Sequence, residues 1–161
     1  MTESLYTVVA VIDALGYPPL ALVLVAASAA ALFLISKKHV AAFLLSLVAA
    51  LCFSAALKFF FAVPRPDSML IETAGYRFPS WHALFAGAFL TSVCIGVFTL
   101  TRSVFIRTTS VIVGAFLLVA VAWSRVFLHV HLPVDVIIGS LLGIGLACGV
   151  HFMLFRNSRS D

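Results

Sequence analysis

The stretch VIVGAFLLVAVAWSRVFLHVHLPVDVIIGSLLGIGL, residues 111–146, joins two apolar runs through a short polar interruption. Each run belongs to a segment long enough to cross roughly 30 Å of hydrocarbon as a helix. The interruption, SRVFLHVHLPVD, carries Ser124, Arg125, His129, His131 and Asp135 at what must be a membrane edge. Polar groups there need a reason beyond topology.

The composition agrees with this reading. The chain has 161 residues, 63% of them hydrophobic and 10% charged, with a mean hydropathy of +1.20. Soluble domains are nearer half apolar and a quarter charged, so the fold class is an all-α integral membrane protein. A net charge of +4 does not point to nucleic acid. The basic residues stand singly or in pairs at the ends of apolar runs, with no interleaved aromatic cluster. Cys52, Cys94 and Cys148 lie in three separate apolar runs and form neither a disulfide framework nor a metal-ligand spacing.

Five runs suit transmembrane helices: residues 20–36, 40–61, 80–100, 108–128 and 134–155. Residues 1–18 lack a basic leader before a hydrophobic core. Leu5, Val8, Val9, Ile12 and Leu15 recur there at helical spacing, so an interfacial helix is expected. The whole, residues 1–161, reads as one domain. Lys37, Lys38, Arg102, Arg107, Arg156 and Arg159 fall on one side, which the positive-inside rule makes cytoplasmic. Lys58, Arg65, Arg77 and Arg125 fall on the other, where topology does not ask for them. On the last helix, Gly139 with Gly143 and Gly145 with Gly149 are spaced for close helix approach.

Three stretches gather polar groups on that outer side. In KFFFAVPRP, Lys58 ends a span, and Pro64 and Pro66 stop the helix so that Arg65 sits in a turn. In FPSWH, Pro79 and Ser80 are helix-start residues. The free backbone N–H groups of a helix N-terminus suit an anion, with His82 in the first turn beside it. In the third stretch, His131 and Asp135 share a helix face if the last helix begins near Leu132 or Pro133. An aspartate accepting from one imidazole nitrogen leaves the other free to attack, and His129 has no such partner. The segment 62–79 is an outer active-site loop, with Asp67, Glu72 and Arg77 available as a lid or headgroup selector.

Taken together, K-x6-RP, PSxH and SR-x5-H-x3-D resemble the three-part signature of the type 2 phosphatidic acid phosphatase superfamily. The resemblance implies that Lys58, Arg65 and Arg125 hold phosphate oxygens, helped by Ser80 and the backbone of Trp81. His131 would form a phosphohistidine, oriented by Asp135, and His82 would protonate the leaving oxygen. It implies no metal and no other cofactor, because three cations supply the charge stabilisation that phosphoryl transfer needs. Two positions depart from the family pattern: Trp81 stands where glycine is usual, and His129 where a small residue is common. The implied substrate is a lipid phosphate or diphosphate at the outer face of a bacterial inner membrane. Undecaprenyl diphosphate ranks first, followed by phosphatidylglycerol phosphate, phosphatidic acid and lipid A phosphates. Two other readings compete: His82, His129, His131 and Asp135 as zinc ligands, or a non-enzymatic membrane protein that binds lipid headgroups.

Overall fold

The structure, a computed structural model, describes Thr7, Val9, Ile12 and residues 18–156. Apart from those three residues, the expected interfacial helix over 1–18 lies outside the described residues. Five α-helices follow: α1 (Pro18–Phe33), α2 (Lys37–Phe61), α3 (Trp81–Leu100), α4 (Val104–Phe127) and α5 (Pro133–Arg156). There is no strand among the described residues. α2 to α5 are each long and apolar enough to span a membrane, whereas α1 is shorter at 16 residues. The protein is an integral membrane helical bundle.

Local chemistry sets the helix ends. The N–H groups of Ile35 and Ser36 both return to the Leu32 carbonyl at 3.0 and 3.1 Å, closing α1 in a tight turn. Ser36 then caps α2, its hydroxyl accepting from the His39 N–H at 3.3 Å. α2 therefore starts at Lys37, ahead of the apolar run expected from residue 40. At its far end Ala62 adopts φ 45°, and its N–H closes onto the Lys58 carbonyl. Ser103 caps α4 by accepting from Ile106 at 3.4 Å.

The core is built on α3 against α5, the most extensive helix pair; α2 packs on both, and α4 lies mainly along α3. Leu32, Phe43, Leu47, Leu84 and Ala88 form the central cluster. Most of α4 faces outward as apolar surface, as with Ile112, Phe116 and Val119, which suits lipid rather than water. The α3–α5 contact brings backbones together. A Cβ on Gly139 would stand 2.7 Å from the Ser80 carbonyl oxygen, and one on Gly143 would overlap the Leu84 carbonyl. Gly145 and Gly149, which the spacing also marked for packing, have open space around them. Only one of the two small-residue pairs is used.

This difference is testable. Gly143→Ala forces α3 away from α5 and should lower unfolding free energy in detergent by about 1–3 kcal/mol, the usual overpacking cost. Gly149→Ala should leave stability equal or slightly higher, because alanine favours helix over glycine. Equal losses at both positions would contradict this packing.

Candidate active site

The three polar stretches meet at one end of the bundle. The C-terminal end of α2, the N-terminal end of α3, the C-terminal end of α4 and the start of α5 all lie there. Backbone hydrogen bonds stitch them together. Ser80 N–H donates to the Asp135 carbonyl at 3.1 Å, Leu70 N–H to Leu128 at 3.1 Å, and His131 N–H to Arg125 at 3.3 Å. Val9 packs with Leu128 and Val130 beneath the second loop.

His131 sits in that loop, just before α5, and is buried. Burial, followed by the charges of Arg65, Arg125, Lys58 and His82, pushes its pKa down to about 2. Burial and the cationic neighbours both oppose the charged form. His131 is therefore held as a neutral imidazole throughout the physiological range. Arg65 bonds the adjacent Val130 carbonyl at 3.0 Å, and the Arg125 carbonyl accepts the His131 N–H at 3.3 Å.

Asp135 occupies the first turn of α5 and is fully buried. Its Oδ2 lies 3.7 Å from His131 Nδ1, too long for a hydrogen bond, and that buried nitrogen has no partner. The expected Asp135–His131 hydrogen bond is therefore not made in this conformation. Arg77 takes the carboxylate instead: its Nη1 donates to Oδ1 at 2.6 Å and to Oδ2 at 2.7 Å. Leu132 N–H donates to Oδ2 at 2.8 Å. A carboxylate with no solvent access needs a counter-ion, and the loop supplies it.

The other expected phosphate ligands converge but are partly engaged with backbone. Lys58 Nζ donates to the Tyr76 carbonyl. Arg65 donates from Nε to Gly75 at 3.0 Å, from Nη1 to Val130 at 3.0 Å and from Nη2 to Ala74 at 3.3 Å. Burial lowers the Arg65 pKa, with Asp135 opposing, yet guanidinium stays charged at any working pH. Arg125 is 2% exposed. Ser80 is the N-cap of α3 but makes no side-chain cap; its buried hydroxyl has no partner. His82 Nδ1 is likewise buried and unpartnered.

Trp81 begins α3 and is partly buried. Its ring, Phe85 and Phe89 form a ladder along one helix face, with centroids 5.2 and 6.1 Å apart. The ladder lines an apolar cavity of about 240 Å³ that runs from Trp81 and His82 toward Leu24 of α1 and Leu117 of α4.

His129 departs from the group. It is exposed, and its Nδ1 lies 3.2 Å from the Ser68 carbonyl, toward the 62–79 loop. Its φ of 56° is left-handed, a backbone state that glycine adopts without cost and other residues at about 1–3 kcal/mol. Among the described residues no three His, Cys, Asp or Glu side chains gather as metal ligands.

Arg77 is what the sequence reading missed. Of the three charged residues expected to serve the loop, Asp67 and Glu72 are exposed, whereas Arg77 turns inward to Asp135. The signal was the mismatch of four outer cations with only three assigned to phosphate, beside an aspartate lacking a counter-ion.

The environment of His131 predicts its titration. By nitrogen NMR of the protein in detergent, His131 should stay neutral from pH 8 to pH 5, because its pKa lies below that window. A His131 midpoint near 6.5 would contradict the burial and charge ring.

Comparison with known proteins follows the same residues. The family model described as the PAP2 superfamily matches residues 39–159. Comparison with curated proteins finds no match. Among solved structures, the chain is similar to the crystal structure of the first transmembrane PAP2 type phosphatidylglycerolphosphate phosphatase from Bacillus subtilis. The TM-score is 0.82 at 26% sequence identity, covering 93% of this chain and 76% of that one. With the three motifs meeting at one end of a helical bundle and the family match spanning all of them, the chain belongs to the PAP2 superfamily.

Proposed function

We propose that the protein is a lipid-phosphate phosphatase whose substrate is phosphatidylglycerol phosphate or a closely similar phospholipid monophosphate. One observation carries this reading: the three motifs converge, with buried His131 in a loop bonded to both Arg125 and Arg65 and with Lys58 and His82 at the same end of the bundle. The apolar cavity that starts at Trp81 and His82 supports a substrate with a hydrocarbon tail. The similar solved structure bears the name of a phosphatidylglycerolphosphate phosphatase. That similarity moves the substrate preference from undecaprenyl diphosphate, ranked first on motifs alone, to the phospholipid.

The chemistry follows from the donors. An ammonium has three N–H groups and a guanidinium five, so Lys58 and Arg65 keep donors for phosphate beyond those holding carbonyls. The α3 N-terminus adds the backbone N–H groups near Trp81 and the unpartnered Ser80 hydroxyl. With the phosphate so held, His131 Nε2 donates its lone pair to phosphorus and the ester P–O bond breaks. His82 gives its proton to the leaving oxygen, releasing the lipid alcohol. Water then attacks the phosphohistidine, the N–P bond breaks, and the water's proton returns to His82 as phosphate leaves. Positioning and charge account for most of the rate enhancement.

The site end is assigned to the outer face because Lys37, Lys38, Arg102, Arg107 and Arg156 lie toward the other end. In a background with Cys52, Cys94 and Cys148 changed to Ala, Ser68→Cys should react with an impermeant thiol reagent added outside intact cells. Ser103→Cys should not; the reverse pattern would invert the orientation.

The reading is tested by phosphate release from a panel of lipid phosphates in mixed micelles. Wild type should turn over phosphatidylglycerol phosphate fastest and undecaprenyl diphosphate more slowly. His131→Ala should lose at least ~1,000-fold in kcat, as removal of an attacking group does, while His129→Ala should keep most activity. Absence of release from every lipid would favour a headgroup-binding protein instead.

A further inference from the structure

The Arg77–Asp135 pair is not accounted for by phosphate binding. Arg77 Nη1 bridges both carboxylate oxygens, and its own backbone N–H is anchored to the Val63 carbonyl at 3.0 Å. On the other side, Leu132 N–H fixes Oδ2, and the Asp135 carbonyl receives Ser80 N–H. The carboxylate is thus gripped by the loop, by the turn before α5 and by the start of α3. Oδ2, the oxygen shared by Arg77 and Leu132, is also the one facing His131 Nδ1 across 3.7 Å.

We propose that Arg77 is a positioning residue for the reaction, holding the Asp135 carboxylate as the station to which His131 Nδ1–H closes when the imidazole attacks phosphorus. This rests on the phosphatase reading above. As Nε2 bonds to phosphorus the ring becomes cationic, and its Nδ1–H becomes a stronger donor. An approach of about 1 Å then makes a hydrogen bond that the resting site lacks. Arg77 keeps Oδ2 at that place while the ring moves. What separates Arg77 from Lys58 and Arg65 is its partner: Nη1 donates to the Asp135 carboxylate, whereas their bonds go to loop carbonyls. Asp67 and Glu72 on the same loop face solvent and compete for neither partner.

A double-mutant cycle decides whether Arg77 acts through Asp135. Arg77→Met should lower kcat on the order of tenfold to a hundredfold, as loss of a supporting partner does elsewhere. KM and the inhibition constant of inorganic phosphate should stay within about twofold, because no phosphate ligand is lost. Arg77→Lys, which keeps the charge, should recover part of kcat. In an Asp135→Asn background, Arg77→Met should cost less than about threefold further. That double variant also removes both charges together, so it remains informative if Arg77→Met alone fails to fold. Independent losses in the two backgrounds would overturn the proposal, as would a raised KM with unchanged kcat, which would make Arg77 a headgroup ligand. Wild type that releases no lipid phosphate would remove the phosphatase reading, and this proposal with it; an active wild type with independent losses removes the proposal alone.

Discussion

A fully buried carboxylate in the first turn of a transmembrane helix demands compensation, and at Asp135 it receives it from three directions. Arg77 supplies the charge, Leu132 a local N–H, and Ser80 bonds the carbonyl of the same residue. Removing one member of such a buried pair typically costs about 3–5 kcal/mol. These bonds do more than satisfy a charge. They bind the 62–79 loop, the start of α3 and the start of α5 into one unit, and His131 rides on the short turn between them. The geometry of the site depends on this junction more than on any apolar contact.

Below the junction, the bundle depends on backbone proximity. α3 and α5 meet so closely at Gly139 and Gly143 that a methyl group at either would strike a carbonyl of α3. In a membrane, water provides no hydrophobic drive between helices, so close approach and dispersion must hold them. That contact also sets the site, because Ser80, whose carbonyl meets Gly139, caps the helix that carries Trp81 and His82. Packing and chemistry share the same few residues at the top of α3.

Lys58 and Arg65 serve twice in a similar way. In the structure they bond carbonyls of residues 74–76 and 130, drawing the two loops over His131. Under the proposed reaction, their remaining donors are the ones that would take the phosphate oxygens. Cations that already assemble the loops are held in place, and preorganised charge is worth most where water is sparse. The ladder that starts at Trp81 lines an apolar cavity that also reaches His82, so apolar and polar groups adjoin within the first turn of α3.

Much of this was legible in the residues. Hydropathy determined the helical membrane fold, because an apolar run of about 20 residues in lipid must satisfy its backbone internally. The three motifs named the residues that gather at one end, since fixed spacings within a helix or turn fix which side chains can share a face. Spacing alone did not separate the Gly139–Gly143 pair, which packs, from Gly145–Gly149, which does not. Nor did it distinguish the Asp135 that faces His131 from the Asp135 that Arg77 holds. Both outcomes depend on which side chains arrive from 58 residues away in sequence, and on gaps of an ångström between helices. Local sequence determines periodicity, capping and charge; the partner of a buried charge is chosen only when the chain closes on itself, and here that closure selected Arg77.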